Sequence, residues 1–346
     1  MSPPPVPAWI ILPDLIALCP FEGSINTHYP EAAHESSAWI DSFKMFKDRK
    51  REFFLQGGSE LLCAHVFPYA DYDKFRTCCD FINVLFTMDE ISDDQDEKDA
   101  HKTGLVLLNA LREPEWDDGT KLAKMCRELR NRLARDSGPI CYRRLVQLCS
   151  DYINAVAVEA GLRARGVVLE VDAYVRLRRD NSAVRFSFGL FGSILGVDLP
   201  DEVYENPVFS RMNDAAIDMV CWANDLYSYN MEQAMGHTTN NIITVLMEHG
   251  HVDLQNAVDL VGGHWDELMN NFLANKKSLP SWGPELDLKV AAYIKGMEYW
   301  VVGNLHWSFR TVRYFGRARE EVQRTRIVHL AKRRFDLEGS EDKGLY

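Results

Sequence analysis

Asn224, Ser228 and Glu232 recur every four residues in the stretch NDLYSYNME. On an α-helix that spacing places an amide, a hydroxyl and a carboxylate on one face. The same face reads Ala216, Ile217, Val220 and Cys221 just upstream, an apolar stripe that turns into oxygen ligands without changing direction. Polar groups inside a protein are costly without partners, so the switch implies that something polar is bound there. Oxygen donors without sulfur or imidazole suit Mg²⁺ better than Zn²⁺ or copper.

A second cluster lies in FTMDEISDDQD, with Asp89, Glu90, Asp93 and Asp94. Asp89 continues the apolar face of Ile82, Leu85 and Phe86, and Asp93 falls one turn beyond it. Two carboxylates directed into one space repel unless a cation or a proton separates them. An acidic run is also the ordinary make-up of a solvated helix end, and the residues alone leave both readings open. Mg²⁺ keeps waters and shares phosphate oxygens instead of taking an all-protein cage, which makes a diphosphate the natural third party.

The elements that must carry these residues read as helices almost throughout. His34–Gln56, Asp73–Ile91, Thr120–Arg135, Ile140–Arg165, Val168–Asn181, Val184–Leu195 and Asn206–Met235 show helical periodicity or helix punctuation. So do Asn241–Glu248, Leu254–Asn275, Leu286–Trp307 and Glu320–Asp336. Ser92 to Asp99 is expected as an exposed turn or helix start. Alternating β segments are scarce, so the chain is expected to be one all-α domain over residues 31–336, preceded by an irregular proline-rich strap (1–30) and followed by a tail (337–346).

Composition narrows the partners. Hydrophobic residues form 46% and aromatics 11% of the 346 residues, enough for a large core and a lined cavity. Thirty-nine basic against 51 acidic residues give a net charge of −12, which argues against general nucleic-acid binding. The eight cysteines show no CxxC pairing and are expected as buried free thiols of a cytoplasmic protein. The apolar start is interrupted by Pro13 and Asp14 and reads as neither a signal peptide nor a membrane span.

These motifs resemble the class I terpene synthases, and specifically the sesquiterpene synthases of basidiomycete fungi. Asn224-Asp225-Leu226-Tyr227-Ser228-Tyr229-Asn230-Met231-Glu232 is similar to the family's NDxxSxxxE metal motif, and Asp89-Glu90-Ile91-Ser92-Asp93 to its D(D/E)xxD element, 135 residues upstream. Arg313-Tyr314 resembles the arginine–tyrosine pair near the family's C-terminus. Tyr174 and Arg178, the latter 46 residues before Asn224, resemble the element in which an arginine senses diphosphate. The neighbours Arg176 and Arg179 leave the choice of inward arginine to spacing, which favours Arg178.

The resemblance implies an all-α helical bundle around a central apolar cavity with three Mg²⁺ ions at its mouth. Asp89 and Asp93, with Glu90 and Asp94 as alternatives to Asp93, would hold two ions; Asn224, Ser228 and Glu232 would hold the third. Arg178, Arg313 and Tyr314 would bind the diphosphate of an isoprenoid substrate. Phe86, Trp307 and Phe188 are expected along the walls. The implied reaction is ionisation and cyclisation of farnesyl diphosphate, with Δ6-protoilludene, formed through 1,11-closure, as the expected product, by a monomer or homodimer. The sequence departs from the family pattern at Met231, where many relatives carry lysine, and at Asn181 and Ser182, where bacterial relatives often have Asp and Gly. No DxDD motif supports protonation-initiated cyclisation. The rival readings are a chain-elongating prenyl diphosphate synthase and a non-catalytic helical protein that binds isoprenoids or Mg²⁺.

Overall fold

In the computed structural model, which describes residues 8–93 and 95–332, helices succeed one another with few interruptions. In chain order they are α1 (Leu15–Leu18), α2 (Tyr29–Ser42), α3 (Asp48–Gln56), α4 (Ser59–Val66), α5 (Tyr72–Ser92) and α6 (Glu97–Arg112). Then come α7 (Lys121–Asp136), α8 (Pro139–Ala164), α9 (Val171–Asn181), α10 (Val184–Phe188), α11 (Phe191–Leu195) and α12 (Asp201–Tyr204). The series closes with α13 (Pro207–Met235), α14 (Ile242–Gly250), α15 (Leu254–Lys277), α16 (Pro284–Arg310) and α17 (Arg319–Thr325). The all-α class read from the sequence is what the chain forms. Among the described residues no helix is long and apolar enough to cross a membrane.

Helix α13 is the axis. Asn206 caps it by accepting from the amides of Val208 and Phe209, Pro207 fills the first turn, and Gly236 ends it at φ 85°, a conformation that favours glycine. It packs between α15 and α16, with Trp265 of α15 donating to Met219 O at 2.9 Å. Helix α5 lies across the bundle against α2 and α4. Its polar anchor is Asp80, which is fully buried and accepts from Ser36 Oγ at 2.6 Å and Arg132 Nη2 at 2.5 Å, and pairs with Arg76.

The structure corrects several boundaries. The helix expected over His34–Gln56 is two, α2 and α3, because Lys44 between them and Asp48 at the start of α3 have φ of 50° and 47°. Of the two readings of the acidic stretch, turn or helix start, the helix start is what forms: Asp96 caps α6 by accepting from Asp99 N at 2.9 Å, and the helix runs on to Arg112, a span the sequence reading did not name. The expected Val184–Leu195 segment breaks at Gly189–Leu190 into α10 and α11. The helix expected to Asp336 stops at Thr325, since Arg326 turns left-handed at φ 61°. The strap expected as irregular contains α1 and a strand, β1 (Trp9–Ile11), which pairs antiparallel with β2 (Ile327–His329) in the register Ile10 to Val328. β-Branched residues and strict alternation explain it: Ile10 and Val328 are buried while their neighbours face outward. Residues 1–7 of the strap, residues 333–336 of the expected last helix, the tail from 337, and Asp94 lie outside the described residues. All eight cysteines are free thiols, and all except Cys19 are buried.

Candidate active site

The ends of α5, α8, α9, α13 and α16 surround a cavity of about 360 Å³. Its depth is apolar, lined by Leu62, Ile82, Leu85, Val184, Val220 and Trp300, while its mouth carries Asp89, Asp93, Glu159, Arg163, Arg178, Asn224, Glu232 and Arg313. Charge and apolar surface are thus segregated along one axis, as an amphiphile with an anionic head requires.

Arg178 sits in the last turn of α9, before the chain breaks at Ala183 with φ 62°. Its guanidinium donates to Asp225 Oδ1 through Nε at 3.0 Å and Nη2 at 2.8 Å, and to Asn224 Oδ1 at 2.8 Å. Asp225 is fully buried, and it also accepts from the Tyr174 hydroxyl and from Ile242 N at 3.1 Å. Asn224 in turn donates to Tyr314 Oη at 2.8 Å. One amide therefore joins the arginine of α9 to the tyrosine beyond α16. Arg179, left open by the sequence, points away to Asp214 and Asp218 at 2.8 and 2.6 Å. Arg176 is exposed. Arg313 lies with its guanidinium carbon 5.4 Å from the centre of the Phe86 ring.

Three carboxyls at the mouth are held above their ordinary range. Asp89 opens on the cavity yet is surrounded by protein, and desolvation followed by repulsion from Asp93 raises it to about 6. Burial lifts Glu159 to about 7 against the pull of Arg178, and burial with Asp225 lifts Glu232 to about 7. Carboxyls so disposed are short of positive charge, which is the condition a divalent cation relieves. Among the described residues no three His, Cys, Asp or Glu side chains gather into a metal-holding group. A cation here must therefore complete its shell from Asn224, Ser228, water or phosphate oxygens, and the hard-oxygen donor set fits that demand.

Of the residues singled out from the sequence, Asp89, Asp93, Asn224, Glu232, Arg178, Arg313, Tyr314, Phe86 and Trp307 all line this cavity. Ser228 lies beneath its surface, donating to Asp225 O at 3.4 Å. Phe188 is not on the wall: it is buried behind it, with its ring centre 5.8 Å from that of Trp300, which is. Glu159, Arg163, Asp225 and Asn241 escaped the sequence reading. Arg163 joins Asp93 and Glu159 at 3.6 Å each and donates to Ser92 O at 3.0 Å. Asn181 Nδ2 donates to Glu159 at 2.8 Å, and Asn241 Nδ2 to Glu232 at 2.9 Å. Asp225, inside the motif, was the one of these with a sequence signal: a second carboxylate on the face next to Asn224.

Known proteins share this architecture. The family described as "Terpene synthase family 2, C-terminal metal binding" matches residues 80–271. A Coprinopsis cinerea protein named linoleate 10R-lipoxygenase COP4 is 50% identical, with 92% of each chain covered. Bifunctional terpene synthase Agr4 of Cyclocybe aegerita is 48% identical, with 97% of each covered. The crystal structure of a-eudesmol synthase superposes with a TM-score of 0.77 at 19% identity, covering 85% of this chain and 98% of that one. The chain belongs to the terpene synthase family, alongside basidiomycete sesquiterpene synthases. It is an enzyme of prenyl diphosphate chemistry, cyclising isoprenoid chains, with a metal-binding region in the matched segment.

Proposed function

We propose that the protein is a carbon–oxygen lyase that ionises farnesyl diphosphate in a Mg²⁺-dependent reaction, cyclises it to a sesquiterpene hydrocarbon and releases diphosphate. The observation that carries this reading is the convergence of Asp89, Asn224, Glu232, Arg178 and Arg313 on one rim of an otherwise apolar cavity. Asp89 and Asp93 on one side, and Asn224, Ser228 and Glu232 on the other, would hold the ions. Mg²⁺, three ions by the family resemblance, would supply there the positive charge that offsets that of the diphosphate.

The chain's own groups do the rest. Arg178 and Arg313 bind and orient the diphosphate through planar, paired donors, and the Tyr314 hydroxyl adds a third. Arg178 reaches the substrate by exchanging its bonds to Asn224 and Asp225, which frees the Asn224 oxygen at the same moment. Leu62, Ile82, Leu85 and Val220 keep water from the carbocation. The faces of Phe86, Trp300 and Trp307 stabilise it, each by about 0.5–2 kcal/mol. Trp307 is fixed for this by its Nε1 donating to Gly58 O at 3.0 Å. We assign Δ6-protoilludene, through 1,11-closure, as the product.

The name of the Coprinopsis relative raises fatty-acid oxygenation as a rival. The donor set argues against it here: His237 is the one imidazole among the described lining residues, whereas non-haem iron oxygenases use two histidines and a carboxylate. Incubation with geranyl, farnesyl and geranylgeranyl diphosphates, with Mg²⁺ or with EDTA, tests the proposal by mass spectrometry of volatiles and by diphosphate release. Cyclic C15 hydrocarbon from farnesyl diphosphate, lost with EDTA, is expected. Elongated diphosphates, or turnover in EDTA, would overturn it.

A further inference from the structure

Helix α16 brings Trp300, Asn304 and Trp307 to the cavity at positions i, i+4 and i+7, so one helix face carries an amide between two indoles. The wall they belong to is fixed. At Gly303 the backbone of α16 lies so close to α4 that a Cβ there would stand 2.6 Å from His65 O. The Trp300 ring is in edge contact with Phe67 and Phe188, with ring centres 5.6 and 5.8 Å away. Trp307 Nε1 is committed to Gly58 O at 3.0 Å.

Asn304 is only 4% exposed, yet its Nδ2 finds no hydrogen-bond partner among the described residues. Trp300 Nε1 is unpaired as well and Trp307 Nε1 is taken, so neither indole donates to the Asn304 oxygen. The other buried asparagines are anchors. Asn26 donates to Phe67 O and Ala70 O, and Asn83 to Ser36 and Glu60. Asn181 donates to Glu159, and Asn241 to Asp225 O and Glu232. Buried amides that hold a fold are hydrogen-bonded, and one left unpaired costs stability. The place of Asn304 on the wall therefore answers to what the cavity binds.

We propose that Asn304 is a further catalytic residue of the cyclisation, whose amide carbonyl stabilises positive charge on the substrate carbon lying between Trp300 and Trp307. With Nδ2 sunk in the wall, the oxygen is the polar end left for the cavity. Its partial negative charge is little screened in apolar surroundings, and a fixed wall needs no reorganisation when the cation forms. A neutral amide is also too weak a base to take a proton, so it holds the cation without ending the reaction. The two indole faces spread their attraction over a ring, whereas the carbonyl concentrates it at one point. That point selects which carbocation persists long enough to rearrange, and so which product leaves.

This rests on the proposed ionisation of farnesyl diphosphate, so binding of the anion is measured apart from the fate of the cation. Wild type, Asn304→Leu and Asn304→Ala are compared for hydrocarbon profile and KM, for binding of inorganic pyrophosphate with Mg²⁺ by calorimetry, and for melting temperature. Leucine matches asparagine in size and removes the dipole; alanine removes the dipole and opens space. In both variants the ratio of hydrocarbons released from earlier carbocations to the wild-type product is expected to rise by roughly tenfold. KM and pyrophosphate binding are expected within about twofold of wild type. The melting temperature of Asn304→Leu is expected at or above that of wild type, since apolar surface replaces an unpaired amide. A shift confined to Asn304→Ala would assign the position to cavity shape and overturn the proposal. Loss of pyrophosphate binding in Asn304→Leu would place the amide on the anion and overturn it too. A wild type that turns over no prenyl diphosphate sinks the underlying reading and this one together, whereas wild-type turnover with an unaltered Asn304→Leu profile sinks this one alone.

Discussion

Burial holds the carboxyls of Asp89, Glu159 and Glu232 above their ordinary range, with repulsion from Asp93 adding to it at Asp89. Their folded values of about 6, 7 and 7 exceed those of free Asp and Glu, 3.8 and 4.5. Between about pH 4 and pH 7 the folded chain therefore keeps protons that the unfolded chain has released, and stability falls as pH rises through that window. Below it both states are protonated, above it both are ionised, and the contribution is flat. Divalent cations bind the ionised form, so the increase in melting temperature produced by Mg²⁺ is expected to grow from about pH 5 to about pH 8. Scanning calorimetry in EDTA and in excess Mg²⁺ checks this, and a Mg²⁺ increment that shrinks with pH would count against a carboxylate metal site. At this scale the sequence was readable wherever one face of one helix carried the message, as at Asn224 and Glu232. It was silent on Glu159, Arg163 and Asn241, because their partners lie on other helices and no spacing encodes such pairs.

At the scale of elements, α5 must hold Asp89 at the mouth, and Asp80 is the device that holds α5. Ser36 of α2, Arg132 of α7 and Arg76 of α5 itself meet on that one fully buried carboxylate. Removing it leaves Arg132 without its counter-charge and Arg76 with Glu35 alone, 3.7 Å away, a loss that costs about 3–5 kcal/mol in comparable buried pairs. Asp80→Ala is expected to lose about that much in urea denaturation. Ser36→Ala, which takes away one neutral donor to Asp80 and one acceptor from Asn83, whose amide keeps Glu60, is expected to lose about 1 kcal/mol. Equal losses would mean that the charge at Asp80 is not what pins the helix. The apolar stripe of α5 was plain in the sequence, since periodicity is a local property. The splitting of the expected His34–Gln56 helix was not, because Lys44 and Asp48 are poor markers of positive φ and no glycine stands there. The start of α6 was one of two readings of the acidic stretch, and Asp96 with Glu97 and Asp99 is good N-terminal helix chemistry; the body of the helix to Arg112 went unnamed.

For the molecule as a whole, the two ends of the described chain meet on the helix that carries the metal motif. β1 and β2 pair at one end of the bundle, with Leu12 N donating to Arg326 O at 2.8 Å and Leu330 N to Ala8 O at 3.0 Å. Gln255 of α15 closes the free edge of β1 through both polar groups of Ile11 at 2.9 Å. The segment after β2 then docks on α13: Ala331 N donates to Asn230 Oδ1 at 2.8 Å, and Gln233 Nε2 to Ala331 O at 2.7 Å. Asn230 and Gln233 flank Met231 and Glu232, so the ribbon grips the turn of α13 from which Glu232 reaches the cavity. Deleting residues 1–12 removes β1 together with Ile10 and Leu12, each 1% exposed, and leaves β2 without its partner strand. Burial of two such side chains is worth about 3–6 kcal/mol, so the melting temperature is expected to fall well below that of the full chain. If the ribbon also fixes Glu232, the Mg²⁺ concentration for half-maximal activity is expected to rise in the shortened protein below its melting range. Unchanged Mg²⁺ dependence beside a lowered melting temperature would make the ribbon a staple for the termini alone, and would move the positioning of Glu232 to Asn241, its hydrogen-bond donor on the other side.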